Sequence, residues 1–364
     1  MNNAMSFSAY NGSPWRPANK VYNARAIVEL HEEIEDFFHY ISPTPEEHNM
    51  RMTLVKKLKV IVKQLWPYAQ VEIFGSFRTG LYLPTGDIDL VVIGDWKTLP
   101  LRTLQDALVK NHVCQERHVR IIDKAAVPLV KFTDSRTNIK VDISFNLGNG
   151  VKAAELVQQY KLNYPSLAKL VFVLKQFLLE RDLNEVFTGG VSSFSIVLMV
   201  VSFLQLHRRA DANLPSANLG VLLMEFFELY GRNFNYVKCG ISVRGAGGYF
   251  AKDQGNYFKK FVNQSPSLLT IEDPLNTGND IGRGSYNTIQ MKQAFQLAYL
   301  KLTQAVNPEA RLGPVKISVL GRIIRINDAI VDYRKWVKRE FFIPQRLMGS
   351  GSENSCSEVS SDSE

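Results

Sequence analysis

The sequence predicts a small mixed α/β domain joined to a larger, mostly α-helical one. Three observations carry this. Between about residues 67 and 146, short β-branched runs alternate with turn residues. From Gly150 onward, apolar residues recur at helical spacing. And 364 residues suffice for two domains of ordinary size.

The elements follow in order. Residues up to about Lys20 are polar and rich in Pro and Asn, and read as loose. Val28 to Ile41 sets Leu30, Ile34, Phe37, Phe38 and Ile41 on one helical side. "SPTPEEH" reads as a break and a helix start, before a longer basic helix from Met50 to Trp66. "VEIFG" and "DIDLVVI" read as strands, "LRTLQDALVKN" as a helix, and "HVRIID", "VPLVKF" and "IKVDISF" as strands again. The last alternates cleanly, with Ile139, Val141 and Ile143 on one face and Lys140, Asp142 and Ser144 on the other. Helices are then expected in "VKAAELVQQYK", "YPSLAKLVFVLKQFLLERDL", "SSFSIVLMVVSFLQL" and "LGVLLMEFFELYGRNF". A looser zone around "RGAGGYFAKDQGN" and "IEDPLNTGNDIGRGSYN" precedes two closing helices, in "TIQMKQAFQLAYLKLTQAV" and "DAIVDYRKWVKREFF". The Ser-rich acidic tail after about Arg346 reads as disordered.

Composition narrows the class. The chain is 45% hydrophobic and 21% charged, as in a globular soluble protein. Net charge is +8, and the tail holds four acids and no base, so the rest carries +12. That excess fits a polyanionic partner, although ordinary surface lysine explains it equally well. Cys114, Cys239 and Cys356 are distant and odd in number, which disfavours a disulfide framework or a Cys-rich zinc site. The start lacks a secretion signal. The longest apolar run, Phe194 to Leu206, is shorter than the ~20 residues of a spanning helix, so no membrane contact is expected.

The chemistry gathers at "FGSFRTGLYLPTGDIDLVV". Asp87 and Asp89 stand two apart and so share a strand face. If the strand bearing Asp142 lies beside theirs, three carboxylates converge. They would repel one another unless cations neutralise them. Magnesium suits oxygen ligands and substrate phosphates, and a pair of ions ~4 Å apart supports in-line phosphoryl displacement. For an isolated Asp-Ile-Asp, a solvated strand end would be the better reading. Gly75 and Ser76 add a turn where backbone can approach a phosphate and a hydroxyl can bond it.

Gly75-Ser76, Gly80, the Asp87/Asp89 pair and Asp142 together resemble the DNA polymerase beta-like nucleotidyltransferase superfamily. Over roughly residues 22–340, "KVDISFN", "LVFVLKQFLLERDLNEVFTGG", "LLMEFFELYGRNFNY" and "IEDPLNTGNDIGRGSYN" narrow the likeness. They resemble noncanonical poly(A) polymerases of the nuclear-surveillance type, the terminal nucleotidyltransferases of TRAMP-like complexes. The resemblance implies a palm-like α/β catalytic nucleotidyltransferase domain and a mostly α-helical central domain, with nucleotide in the cleft between them. It divides the chain into a flexible 1–20, a catalytic 45–146, a helical unit of 21–44 with 147–345, and a tail of 346–364.

The family's site residues map here one by one. Asp87, Asp89 and Asp142 are implied as ligands of Mg2+, or of Mn2+, with Asp142 nearest the RNA 3′-hydroxyl. Gly75 and Ser76 would hold the triphosphate, Gly150 would lie near the sugar, and Lys175 would neutralise phosphate charge. Ser193 would contact phosphate and Phe194 stack on the base, where the family usually has Tyr. Asn279 and Arg283 match the nucleotide-recognition motif, and Gly86 stands where Ser is frequent. On residues alone, Lys175 reads as a snorkelling lysine, Phe194 as a core aromatic and the Asn279 segment as a Gly/Asn turn. Uridylyl-adding relatives often carry a histidine in the recognition region, whereas here His207 is the last one. The expectation is therefore ATP, with uridylyl or mixed tailing as the alternative and an inactive scaffold as a third reading. No RNA-binding signature or zinc knuckle occurs in the sequence. The resemblance implies a zinc-knuckle adaptor and a helicase as partners, distributive tailing of an RNA 3′ end without them, and the nucleus, with the cytoplasm as alternative.

Overall fold

The computed structural model describes residues 12–124, 127–146, 148–253, 261, 265–308 and 317–343. The expected tail of 346–364 and the first eleven residues lie outside these.

Helix α1 (Ala26–Ile41) is followed by α2 (Pro45–Leu65). The break between them is sharp because Thr44 and Glu47 cap α2 reciprocally and Pro45 opens its first turn. The basic helix expected from Met50 therefore begins at Pro45, as one unbroken helix. Strand β1 (Gln70–Phe74) runs into a short helix, α3 (Gly75–Thr79), so the expected Gly-Ser turn is a helical turn. Then come β2 (Ile88–Ile93), α4 (Leu101–Lys110), β3 (Val119–Ile122), β4 (Leu129–Thr133) and β5 (Lys140–Phe145). The five strands form one sheet in the order β1-β2-β5-β4-β3, with β2 and β5 parallel and the other pairs antiparallel. Ile88, Leu90, Val92, Val141 and Ile143 pack with Leu54, Leu58, Leu104 and Leu108 into the core of this domain.

The second core is helical. It is built by α1, α5 (Gly148–Asn163), α6 (Leu167–Leu179), α7 (Ser193–Gln205), α8 (Leu219–Glu228) and α9 (Thr288–Val306). Helix α7 is apolar all round and buried from Ser195 to Leu204, which is why it resembled a membrane span in miniature. Among the described residues, no helix is long and apolar enough to cross a membrane. A single π-turn, Leu229–Asn233, ends α8.

Three expectations are corrected. Residues 12–16 are packed rather than loose, with 17–20 exposed: Trp15 is buried edge-on against Phe37 at 5.3 Å. Arg16 pairs with Glu29 and Glu33 at 3.3 Å each, offsetting two carboxylates that α1 turns inward. The zone around "RGAGGYFAKDQGN" holds a hairpin, β6 (Cys239–Ser242) with β7 (Gly248–Ala251), whose turn uses the positive φ of Gly245 and Gly247. And α10 (Asp328–Glu340), assigned to the helical unit, places Val337 in the sheet domain's core and Val331 in the helical one.

Candidate active site

The sheet explains how a third aspartate meets the first two. Parallel pairing sets Asp89 directly opposite Asp142, and Asp87 stands one residue before β2. Lys131 on β4 faces Asp142 across the next ladder. Its Nζ lies 3.0 Å from Asp142 Oδ2 and 3.5 Å from Asp87 Oδ2, so one ammonium spans two of the three carboxylates.

The electrostatics follow from burial. Asp89 is pushed up to about 7, first by desolvation and then by Asp142 and Asp87. Asp142 is also raised by burial, against the pull of Lys131. Burial lowers the proton affinity of Lys131, yet the Asp142 and Asp87 charges carry it above the usual lysine range. Lys175 reaches across from α6 and donates to the Leu81 carbonyl at 2.6 Å. Burial depresses it to about 8, resisted by Asp89 and Asp87.

The donor set fits a hard divalent cation. All three side chains offer oxygen. Asp142 Oδ1 is buried with no hydrogen-bond partner, an acceptor waiting for a positive charge. Gly75 has φ +65°, and a Cβ there would overlap the Asp89 carboxylate, so glycine leaves that carboxylate its room. Among the described residues, no three such side chains are gathered tightly enough to hold an ion as they stand. The Lys131 ammonium already supplies positive charge between two of them.

The other expected residues divide. Ser76 sits in α3, where its carbonyl accepts from Leu81 N at 3.1 Å. Gly150 packs α5 onto the end of β1: a Cβ there would lie 2.7 Å from the Phe74 ring. Ser193 and Phe194 open α7, which Ser192 caps by accepting from Ser195 N at 3.0 Å. Ser193 is exposed and Phe194 half-buried against the helical core. Asn279 donates to Asp273 at 2.9 Å within its own segment, and Arg283 to the Ser265 carbonyl just before it at 3.4 Å. That segment is nailed by buried Asp280, which accepts from Ile271 N, Gly282 N and Ser267 Oγ at 3.0, 2.9 and 2.6 Å. It touches α7 where Ser195 Oγ meets the Ile281 carbonyl at 3.5 Å. The structure thus joins Gly75, Asp87, Asp89, Asp142 and Lys175 in one cluster, and sets the Ser193 and Asn279 groups side by side.

Two residues escaped the sequence reading. Lys131 was one lysine in "VPLVKF", and only its cross-strand register gives it meaning. Arg51, 1% exposed on α2, donates to the Gly86 and Pro84 carbonyls at 2.8 and 2.9 Å and lies 4.4 Å over the Tyr82 ring. It holds the loop that delivers Asp87.

Known proteins resemble this chain over most of its length. A family model for the central palm domain of mitochondrial-like poly(A) RNA polymerases matches residues 30–162, and one for Cid1 family poly(A) polymerases matches residues 218–279. The chain is 41% identical to the inactive noncanonical poly(A) RNA polymerase protein Trf4-2 of Drosophila melanogaster, over 93% of this chain and 84% of the fly protein. It is 39% identical to the poly(A) RNA polymerase cid14 of Schizosaccharomyces pombe, over 88% of this chain but only 48% of that protein. The chain therefore spans about half the length of that fungal relative. The solved polymerase core of TRAMP, an RNA surveillance complex, superposes with a TM-score of 0.73 at 38% identity, covering 84% of this chain and 96% of that one.

Proposed function

The chain belongs to the noncanonical poly(A) RNA polymerase family, and from that premise we propose that it adds AMP from ATP to RNA 3′ ends without a template. One observation carries the reading: the β2–β5 register that sets Asp89 beside Asp142, with Asp142 Oδ1 left unbonded.

Asp87, Asp89 and Asp142 would hold the divalent cations, Mg2+ first and Mn2+ as an alternative. Bound there, the cations would supply the positive charge that an in-line displacement at the α-phosphate needs. The chain's own residues supply the rest. Gly75 gives the phosphates close approach to backbone beside Asp89. Ser76 and Ser193 offer hydroxyls and Lys175 a buried ammonium to the triphosphate, and Gly150, packed on Phe74, would lie near the sugar. Phe194 offers a face to the base, with Asn279 and Arg283 reading its edge. Asp142 lies closest to the primer hydroxyl and helps withdraw its proton. Asp87 and Asp142, which Lys131 bridges here, would turn to the cation, and the Lys131 ammonium would then be available to a phosphate.

Extension of a labelled RNA with each NTP separately, under Mg2+ and under Mn2+, tests the reading. ATP is expected to be used best, with Asp89→Ala abolishing incorporation. Faster extension with UTP would make the protein a uridylyltransferase. A second reading, an inactive scaffold, draws on the inactive fly relative. Equal background incorporation by wild type and Asp89→Ala would establish it, whereas the retained three carboxylates favour activity. An RNA-binding zinc-knuckle adaptor, a helicase and a nuclear site of action complete the proposal. Its support is the likeness to the TRAMP polymerase core.

A further inference from the structure

We propose that Lys252 is a positioning residue for nucleotide choice, tying the segment that carries Asn279 and Arg283 to the helical core. The inference rests on the polymerase reading and adds to it a residue that acts on base selectivity without touching the nucleotide.

Lys252 follows β7 and is 4% exposed. A buried ammonium is unfavourable unless its hydrogens find acceptors. Here three backbone carbonyls meet it: Tyr236 O at 2.6 Å, Ser267 O at 2.7 Å and Leu268 O at 2.9 Å. Lysine has three donors and no acceptor, so the set is complete. Its backbone is fixed as well, since Lys252 N donates to Lys238 O at 2.9 Å. Two distant stretches of chain are thereby drawn to one point. Tyr236 belongs to the helical core, with its Oη donating to Tyr230 O at 2.7 Å. Ser267 and Leu268 lead into the recognition segment.

From that point the bonds continue without a gap. Ser267 O also accepts from Thr270 Oγ1 at 2.7 Å, and Ser267 Oγ donates to Asp280 Oδ2 at 2.6 Å. The other Asp280 oxygen accepts from Ile271 N and Gly282 N. Asp280 stands directly after Asn279, and Arg283 donates to Ser265 O, two residues before Ser267. Docking on β6 completes the frame: Ile241 N donates to Thr270 O at 2.9 Å and Glu272 N to Ile241 O at 2.8 Å. Core, Lys252, Ser267 and Asp280 thus form one hydrogen-bonded line that ends between the two residues expected to read the base. Reading a base edge needs donors and acceptors placed within about 0.5 Å. Slack at Lys252 would therefore blur the choice of base, while none of these bonds reaches Asp87, Asp89 or Asp142.

The test is ATP and UTP incorporation into oligo(A) by the full chain, alongside calorimetric binding of each nucleotide under Mg2+. Lys252→Met keeps the bulk and removes the ammonium. It is expected to raise the ATP KM about tenfold and to lower the ATP-over-UTP preference about tenfold, with the primer KM within roughly twofold. Ser267→Ala keeps the Lys252 bonds and cuts the link to Asp280. It should lower the preference in the same direction, and it decides the matter if Lys252→Met does not fold. Propylammonium added to Lys252→Ala should restore the preference. A folded Lys252→Met with unchanged preference, or with primer and ATP KM raised alike, overturns the proposal. If wild type incorporates nothing yet binds ATP, the polymerase reading fails and the ATP-to-UTP affinity ratio judges Lys252 by itself. A ratio lowered in the variant then supports the positioning role, and an equal ratio overturns it. If neither nucleotide binds, both fall.

Discussion

A carboxyl at about 7 sits where cations are expected, and this makes the metal and the proton rivals. Asp89 is raised above its unfolded value of 3.8 by burial and by two like charges. In metal-free protein it stays protonated while the unfolded chain ionises, so stability falls as pH rises between roughly 4 and 7 and is level beyond. A divalent cation needs the ionised form. Calorimetry in buffers of different ionisation enthalpy should show magnesium releasing about one proton near pH 6.5 and almost none near pH 8.5. Asp89→Asn should abolish the release. Arg51 gives a second residue-scale prediction. Its two bonds to Gly86 and Pro84 need a planar fork, which lysine lacks. Arg51→Lys should lower kcat about tenfold or more by letting Asp87 wander, with the ATP KM nearly constant and folding intact by circular dichroism.

Elements differ in how openly they declare themselves. The alternation in β5 marked Asp142 as polar-facing, and the β-branched run of β2 marked its strand, because period-two burial writes itself into residue type. The β6–β7 hairpin did not, since Gly240, Gly245, Gly247 and Gly248 dilute both strand propensity and pattern. Lys131 and Arg51 were illegible for another reason: each acts through a partner on a different element, and register and helix docking are not local properties. Trp15 and Arg16 are the same case, a polar-looking segment whose partners lie on α1. The π-turn after α8 is likewise a packing device. A Cβ on Gly231 would lie 2.5 Å from Gln296 N in α9, so glycine sets how closely the two helices approach. Gly231→Ala should cost about 1–3 kcal/mol by overpacking, read as a lower Tm, while kcat at low temperature is kept.

At the scale of the molecule, two cores are tied where the chain crosses between them. Arg334 on α10 donates to Tyr40 O at 2.6 Å and Ser42 O at 3.0 Å, and pairs with Glu47 at 3.0 Å. It thereby fastens the end of α1 to the start of α2. Glu47 is 3% exposed, and removing its partner strands a buried charge, a loss of about 3–5 kcal/mol. Arg334→Ala should split thermal unfolding into two calorimetric transitions, one per core, where wild type shows one. Lys131 bears on the molecule's history as well as its chemistry. With an ammonium between Asp87 and Asp142, the nascent chain carries its own counter-ion as it leaves the ribosome. The sheet can close with no metal present, and if magnesium binds as proposed, its loading would be a later exchange rather than a condition of birth.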